Sequence, residues 1–538
     1  MGRWPLIGSV VIILMALLFY SLHTHFYYET MVNSDGAYVF LHMREFLLGN
    51  NFDLLHVGYR YCGLIEHLGS AILSFLLPSN WAIVYGISLF YVAGFFFLKH
   101  NFAGAKKFAL ALLLFFPMPN PFFQSYSALG GHTYIVFQYF VALWFLTSPR
   151  FKFEDGEYKL WAYLGAGLSG GLALYAYKLA QLLVIATVIT FIVCDKKRIS
   201  LRFPLKLITF VVAVGVGFLP NVLSIYFYPG KHDAGAATDL YFNVGAILLK
   251  YESLKKVVAA LFSPVWSHQI ELSYAFNHSN YPVFETLRSI HSLGAYFAIA
   301  IFLGVAVCFF KKQILEKSKS IDSLMLFSLL CLGAFLSGYL LRAGEYTLEL
   351  ESRYMLVVYF SLLVMFLYIV PARWSITVMV LLSVVSLYSH GVIFWSNQNY
   401  RDLLSQEKSC TSLTKSEVFA VLKDAGVRAV SGSYWEVWPL AAVLKTNLVD
   451  DPLKNKFYFT QELFHRYHPV VYITNANPSS NLAVQAMSEV LKRGREFVQA
   501  QIGPFLVSVE TVDDLPSKIS QQVISRNPNK EGCKFIKL

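Results

Sequence analysis

Eleven apolar runs decide what this chain can fold into. They lie near residues 4–22, 81–98, 105–119, 131–147, 160–176, 178–194, 204–227, 291–310, 322–341, 353–371 and 374–396. A helix needs roughly 20 apolar residues to cross the hydrocarbon core of a bilayer, and only a helix satisfies every amide of such a segment from within. A soluble domain is excluded by a composition of 56% hydrophobic, 16% aromatic and 14% charged residues. The expected fold is mainly α: a polytopic transmembrane bundle of about eleven spans over 1–396, followed by a small extracytoplasmic α/β domain over 397–538. The first run has a basic start at Arg3, but its apolar core is long. Ser21-Leu22-His23-Thr24-His25 offers no small-x-small cleavage site, so the run reads as an uncleaved anchor.

Lysine and arginine beside the spans set the orientation. Lys99, Lys106 and Lys107, then Arg150, Lys152 and Lys159, then Lys196, Lys197, Arg198 and Arg202, then Lys311, Lys312, Lys317 and Lys319 fall on one side, which is cytoplasmic. The loops near 23–80 and 229–290 and the segment from 397 onward then face outward. The net charge of +11 is a topology signal with anionic lipid as its partner, and not a sign of nucleic-acid binding. The expected location is a multi-pass protein of a bacterial inner membrane.

Chemistry-bearing residues gather in the outer connections. Asn33-Ser34-Asp35-Gly36-Ala37-Tyr38 follows the first span, and Asp35 is the candidate catalytic residue; its alternative is a helix N-cap for a short helix beginning near Ala37. The same loop carries Gly58-Tyr59-Arg60-Tyr61-Cys62-Gly63-Leu64-Ile65-Glu66-His67. The second outer connection, Pro117 to Thr133, is rich in Pro and Gly and is expected to fold inward. It ends at His132, a candidate ligand-binding residue, with plain interfacial placement as the alternative. Lys178 occupies a tight outer turn, where a cation departs from the positive-inside pattern and is a candidate anion-binding group; snorkelling to the surface is the alternative. Before the tenth run, Arg353 offers a planar fork suited to phosphate oxygens, or alternatively pairs with Glu349 or Glu351. The glycines at 165, 167, 170 and 171 read as a helix-packing face, and 244–261 as an interfacial amphipathic helix.

Asp35, then Tyr61-Cys62-Gly63-Leu64-Ile65-Glu66, then Arg353-Tyr354-Met355-Leu356, then an outer C-terminal segment, stand in an order that resembles the GT-C superfamily of polytopic glycosyltransferases. The likeness is to the bacterial branch similar to aminoarabinose transferases and protein O-mannosyltransferases. It implies an enzyme that moves a sugar from a polyprenyl-phosphate donor to an acceptor hydroxyl on a lipid, glycan or protein. Asp35 would be catalytic, Glu66, Tyr61 and His132 would bind acceptor or donor, and Arg353, Tyr354 and Lys178 would bind the lipid phosphate. Many relatives carry a second acidic residue beside the first. Gly36 stands there in this chain, so neither a metal nor another cofactor is expected. The competing class is a transporter or flippase for lipid-linked saccharides. It is disfavoured because the polar residues sit in outer loops and no internal repeat is evident.

In the C-terminal segment, helical patterns near 415–425, 434–444, 460–467 and 481–493 alternate with β-branched runs at 427–430, 469–474 and 505–509. It holds no phosphate-binding glycine fingerprint and no metal-spaced His/Cys set, and reads as an acceptor-recognition or structural module. Cys194, Cys308 and Cys331 read as small apolar residues, whereas Cys62, Cys410 and Cys533 fall on the oxidising side. Cys410 and Cys533 flank the terminal domain and are the candidate disulfide.

Overall fold

The structure, a computed structural model, describes residues 4–25, 34–50, 52–55, 63–126, 131–195, 202–228, 244–263, 293–311, 322–341, 355–432, 434–446, 448–450, 469–476, 496–511 and 514–537. Helices α1 (Trp4–His25), α2 (Ser34–Leu47), α3 (Leu68–Leu73) and α4 (Ser79–Leu98) open the chain. Then come α5 (Lys106–Phe115), α6 (Pro119–Tyr126), α7 (His132–Thr147), α8 (Leu160–Ala176), α9 (Gln181–Cys194) and α10 (Arg202–Phe227). The series continues with α11 (Val244–Leu261), α12 (Leu293–Phe310), α13 (Ser323–Leu341), α14 (Leu356–Ile369) and α15 (Ala372–Gln406). Each apolar run read from the sequence is a helix. Among the described residues, the segments Ser79–Asn101, Arg202–Phe227, Ser323–Leu341 and Ala372–Trp395 are long and apolar enough to cross a membrane. The chain is a multi-pass membrane protein.

Contacts divide it into two units. One comprises Met1–Tyr20, Leu54–Glu66 and Ile87–Val392, and the other Ser21–Asp53, His67–Gly86 and Ile393–Leu538. The C-terminal segment is thus grouped with α2 and α3, which lie between the first two apolar runs.

In the first unit α8 lies directly on α10. Glycine makes that approach possible: a Cβ on Gly171 would stand 2.8 Å from the Cα of Gly217, so the small-residue face expected from the sequence is a helix contact. Inside the bundle aromatic rings do most of the filling. Phe140 meets Phe360 edge-on at 5.5 Å, and Tyr139 stacks on Phe327 at 5.6 Å. The inward course expected of the second outer connection is realised in α6, whose Phe122 and Phe123 are fully buried. A charged cluster also lies within. Lys206, in the second turn of α10, is 5% exposed and bonds Glu157 at 2.8 Å and Asp195 at 3.1 Å, while Tyr163 donates to the same Asp195 oxygen at 2.8 Å. A buried cation is tolerable when its partners satisfy it in this way.

The second unit closes on a mixed sheet formed by β1 (Ala429–Gly432), β2 (Val449–Asp450), β3 (Val470–Asn475), β4 (Phe497–Ile502), β5 (Phe505–Glu510) and β6 (Ile536–Lys537), in the order β2-β1-β3-β5-β4-β6. Strand β1 runs parallel to β2 and β3, and the remaining pairs are antiparallel. Helices α16 (Lys415–Asp424), α17 (Tyr434–Leu444) and α18 (Leu515–Arg526) accompany it. A capping box starts α16: the Thr414 hydroxyl accepts from the Glu417 amide, and the Glu417 carboxylate accepts from the Thr414 amide at 2.7 Å. Cys410 and Cys533 are joined by a disulfide across Cα atoms 5.3 Å apart, and Cys194, Cys308 and Cys331 are free thiols. The helical patterns at 460–467 and 481–493 lie outside the described residues, as do Cys62 and most of the 229–290 loop.

Candidate functional site

Glu66 sits in the single turn Ile65–His67 and is 1% exposed. Its Oε2 accepts from the Gly131 amide at 2.7 Å, and its Oε1 accepts from the amides of Thr133 at 2.7 Å and Tyr134 at 3.2 Å. The first amides of a helix have no acceptor within it and carry its partial positive charge. A carboxylate brought from another segment therefore caps α7 with charge-assisted bonds. Gly131 makes the meeting possible. Its φ is +87°, and a Cβ there would lie 2.5 Å from the Ala176 carbonyl. Burial raises the carboxyl pKa above the ordinary carboxylate range, opposed by the same amide bonds.

Around this cap three segments are laced together. The Gly63 amide donates to the Ala176 carbonyl at 3.0 Å, and the Leu64 amide to the Tyr175 hydroxyl at 3.1 Å. Tyr175 in turn donates to the Leu54 carbonyl at 2.5 Å. Thr133 donates to the Ser125 carbonyl at 2.7 Å, and Tyr91 donates to the Ser125 hydroxyl at 2.5 Å. His132, the first residue of α7, is 5% exposed and packs its ring at 4.6 Å from that of Tyr177. Tyr177 links α8 to the short turn Lys178–Ala180, in which Lys178 is half-buried.

The structure thus brings Glu66, His132 and Lys178 to one locus. It gives Glu66 a function that the sequence does not disclose. Both carboxylate oxygens are engaged by backbone, so the side chain fastens the locus, with His132 and Lys178 beside it. Asp35 belongs to the second unit, in the first turn of α2. That helix begins at Ser34, three residues ahead of the expected start, and Ala37 and Tyr38 are wholly buried. Tyr61, Arg353 and Tyr354 lie outside the described residues. Sequence reasoning missed Tyr175, Tyr177 and Ser125, and the only local hint was the Gly130-Gly131-His132-Thr133 punctuation opposite Ala176-Tyr177-Lys178. Among the described residues no group of three or more His, Cys, Asp or Glu side chains is placed to hold a metal ion.

Glu66→Gln tests the fastener. A glutamine offers one acceptor oxygen and turns an amide nitrogen toward an N–H donor that it cannot accept. The expected cost is about 2 kcal/mol of stability, read as a lower midpoint in thermal unfolding of the detergent-purified protein. An unchanged midpoint with transfer lost would assign the carboxylate to substrate instead.

No protein-family profile and no curated protein matches the chain. Among solved structures it is similar to ArnT from Cupriavidus metallidurans in the apo state, at 13% identity over 94% of this chain and 98% of that one, with a TM-score of 0.45. The same protein bound to undecaprenyl phosphate gives 12% identity over 94% and 98%, with a TM-score of 0.39. The Archaeoglobus fulgidus oligosaccharyltransferase in its apo form gives 11% identity over 94% of this chain and 75% of that one, with a TM-score of 0.41.

Proposed function

We propose that this protein is an integral-membrane glycosyltransferase that moves a sugar from a polyprenyl-phosphate donor to an acceptor hydroxyl on the extracytoplasmic side. The observation that carries the reading is the convergence of Glu66, His132 and Lys178, contributed by three separate connections, on the start of α7 in an apolar bundle. Ligands suited to such a place have a long apolar tail and an anionic, hydroxylated head.

In the proposed reaction Asp35 takes the proton of the acceptor hydroxyl. The freed oxygen attacks the anomeric carbon, and the bond from that carbon to the phosphate oxygen breaks. Polyprenyl phosphate departs with the bonding electrons. Arg353 and Lys178 stabilise the charge that develops on the phosphate, Tyr354 and Tyr61 line the site, and His132 holds a sugar hydroxyl or a phosphate oxygen. A positioned carboxylate is one of the side chains able to act as such a general base. The Cys410–Cys533 bridge supports an oxidising, extracytoplasmic side for the C-terminal segment.

Membranes carrying the protein, incubated with candidate polyprenyl-phosphate sugars, test the reading. Loss of sugar from the carrier that depends on acceptor is the expected result. Movement of an intact lipid-linked sugar across the membrane, without its consumption, would replace the transferase with a transporter. Transfer is also expected to survive EDTA, because Gly36 occupies the place of a second carboxylate. Activity lost on chelation and restored by one specific cation would place a metal at Asp35.

A further inference from the structure

Helix α17 ends in an unusual way. Lys445, the residue after Leu444, has φ +53°, and the Thr446 amide donates to the Ala441 carbonyl at 3.1 Å. That pattern is the Schellman termination, in which glycine is the preferred residue because a side chain at left-handed φ is strained. Lysine there must be accounted for by what its atoms reach. Its Nζ donates to the carbonyls of Ser74 at 2.6 Å and Leu77 at 3.3 Å, just past the end of α3, where helix carbonyls lack partners and a cation is favoured. Its own carbonyl accepts from Arg44 Nη1 at 3.4 Å, in the last turn of α2. One residue therefore ties the ends of two helices of the outer loop to the C-terminal segment.

Other contacts run the same way. Ser79 donates to the Ala442 carbonyl at 2.6 Å. Tyr38, one turn beyond the start of α2, meets Trp438 of α17 edge-on at 4.9 Å and lies 3.3 Å from His42 Nδ1 through its hydroxyl. The Arg44 guanidinium is also held by Glu45 at 3.1 Å. Both flanks of α2 are thus fixed from α17, and the first turn of α2 carries Asp35.

We propose that Lys445 is a positioning residue for Asp35, and that the C-terminal α/β segment serves the reaction by holding α2 in register. This rests on the reading of Asp35 as the base. Misplacement of a reacting group by about 1 Å costs up to 100-fold in rate, so loosening one of several ties is expected to lower kcat roughly 10-fold.

The experiment compares Lys445→Met, Lys445→Gly and Lys445→Arg in the full-length protein, each with and without Asp35→Asn. Kinetics of transfer are measured together with hydrogen exchange of residues 34–47. A plain helix terminus would be improved by glycine. The tether instead predicts that Met and Gly both lower kcat with KM held within about 2-fold, that both speed exchange in α2, and that Arg restores most of both. In the Asp35→Asn background Lys445→Met should cost no further rate. The proposal is overturned if Lys445→Gly keeps kcat and exchange unchanged, or if the Lys445→Met loss persists in full without the Asp35 carboxylate. Full activity of Asp35→Asn by itself removes the base assignment, and the exchange measurement then shows separately whether the tether exists.

Discussion

Asp35→Asn is expected to lower sugar transfer roughly 100-fold or more while leaving the protein folded and at normal abundance. Asparagine has nearly the same size as aspartate, so α2 keeps its first turn. What it loses is a group that accepts a full proton. General-base catalysis contributes about 100-fold to 10,000-fold, and the proposed chemistry gives no other described residue that task. The measurement is the initial rate of acceptor-dependent sugar release, normalised to protein level, beside Asp35→Glu, which keeps the charge but displaces it. Wild-type rates in Asp35→Asn would remove the assignment and leave Asp35 as a residue of the first turn of α2 without a part in the chemistry.

Replacing Cys410 and Cys533 together by alanine is expected to destabilise the C-terminal segment by about 4–5 kcal/mol on the chain-entropy account, or about 2–5 kcal/mol by experience with native bridges. The two residues are 123 positions apart and nearly buried, at 7% and 8% exposure. Cutting the bond returns the freedom of a long loop to the unfolded chain. The bridge also sits beside tertiary contacts: the Gly503 amide, in the tight turn between β4 and β5, donates to the Cys410 carbonyl at 3.1 Å, and the Ser520 hydroxyl of α18 donates to the Cys533 carbonyl at 3.0 Å. Denaturant unfolding with and without reductant gives the readout. Reductant should shift the wild type and leave the double alanine variant unmoved. Free thiols at both Cys410 and Cys533 in protein prepared under oxidising conditions would refute the bridge.

Local information was the part of this molecule that sequence conveyed. Apolar runs became helices because a helix satisfies its own amides, and the β-branched runs at 427–430, 469–474 and 505–509 overlap β1, β3 and β5, which the structure bounds at 429–432, 470–475 and 505–510. Strand β4 escaped because Gln499 and Gln501 break up its apolar run, and β2 and β6 are two residues long. Long-range pairing was not legible. Glu66 reads from sequence as a candidate for binding acceptor or donor, and its capping partners do not show because those amides are 65 or more residues away. Lys445 reads as an ordinary charge after an apolar helix, because the carbonyls it reaches lie 371 and 368 residues earlier. Periodicity conveys which face of a helix is buried, but not which distant segment covers it.

The Lys206 cluster bears on how the chain is assembled during synthesis. A lysine in a helix entering lipid is costly, by about 2.5–3.5 kcal/mol at the helix centre and less near its ends. Both of its counter-charges, Glu157 and Asp195, precede it in the chain. A ribosome delivers the N-terminal portion first, so the two acids have already emerged when α10 leaves the tunnel, and the cation enters the membrane with its partners waiting. Reversing that chronology, by moving the acids downstream of the lysine in a rearranged gene, would ask the same helix to insert unaccompanied.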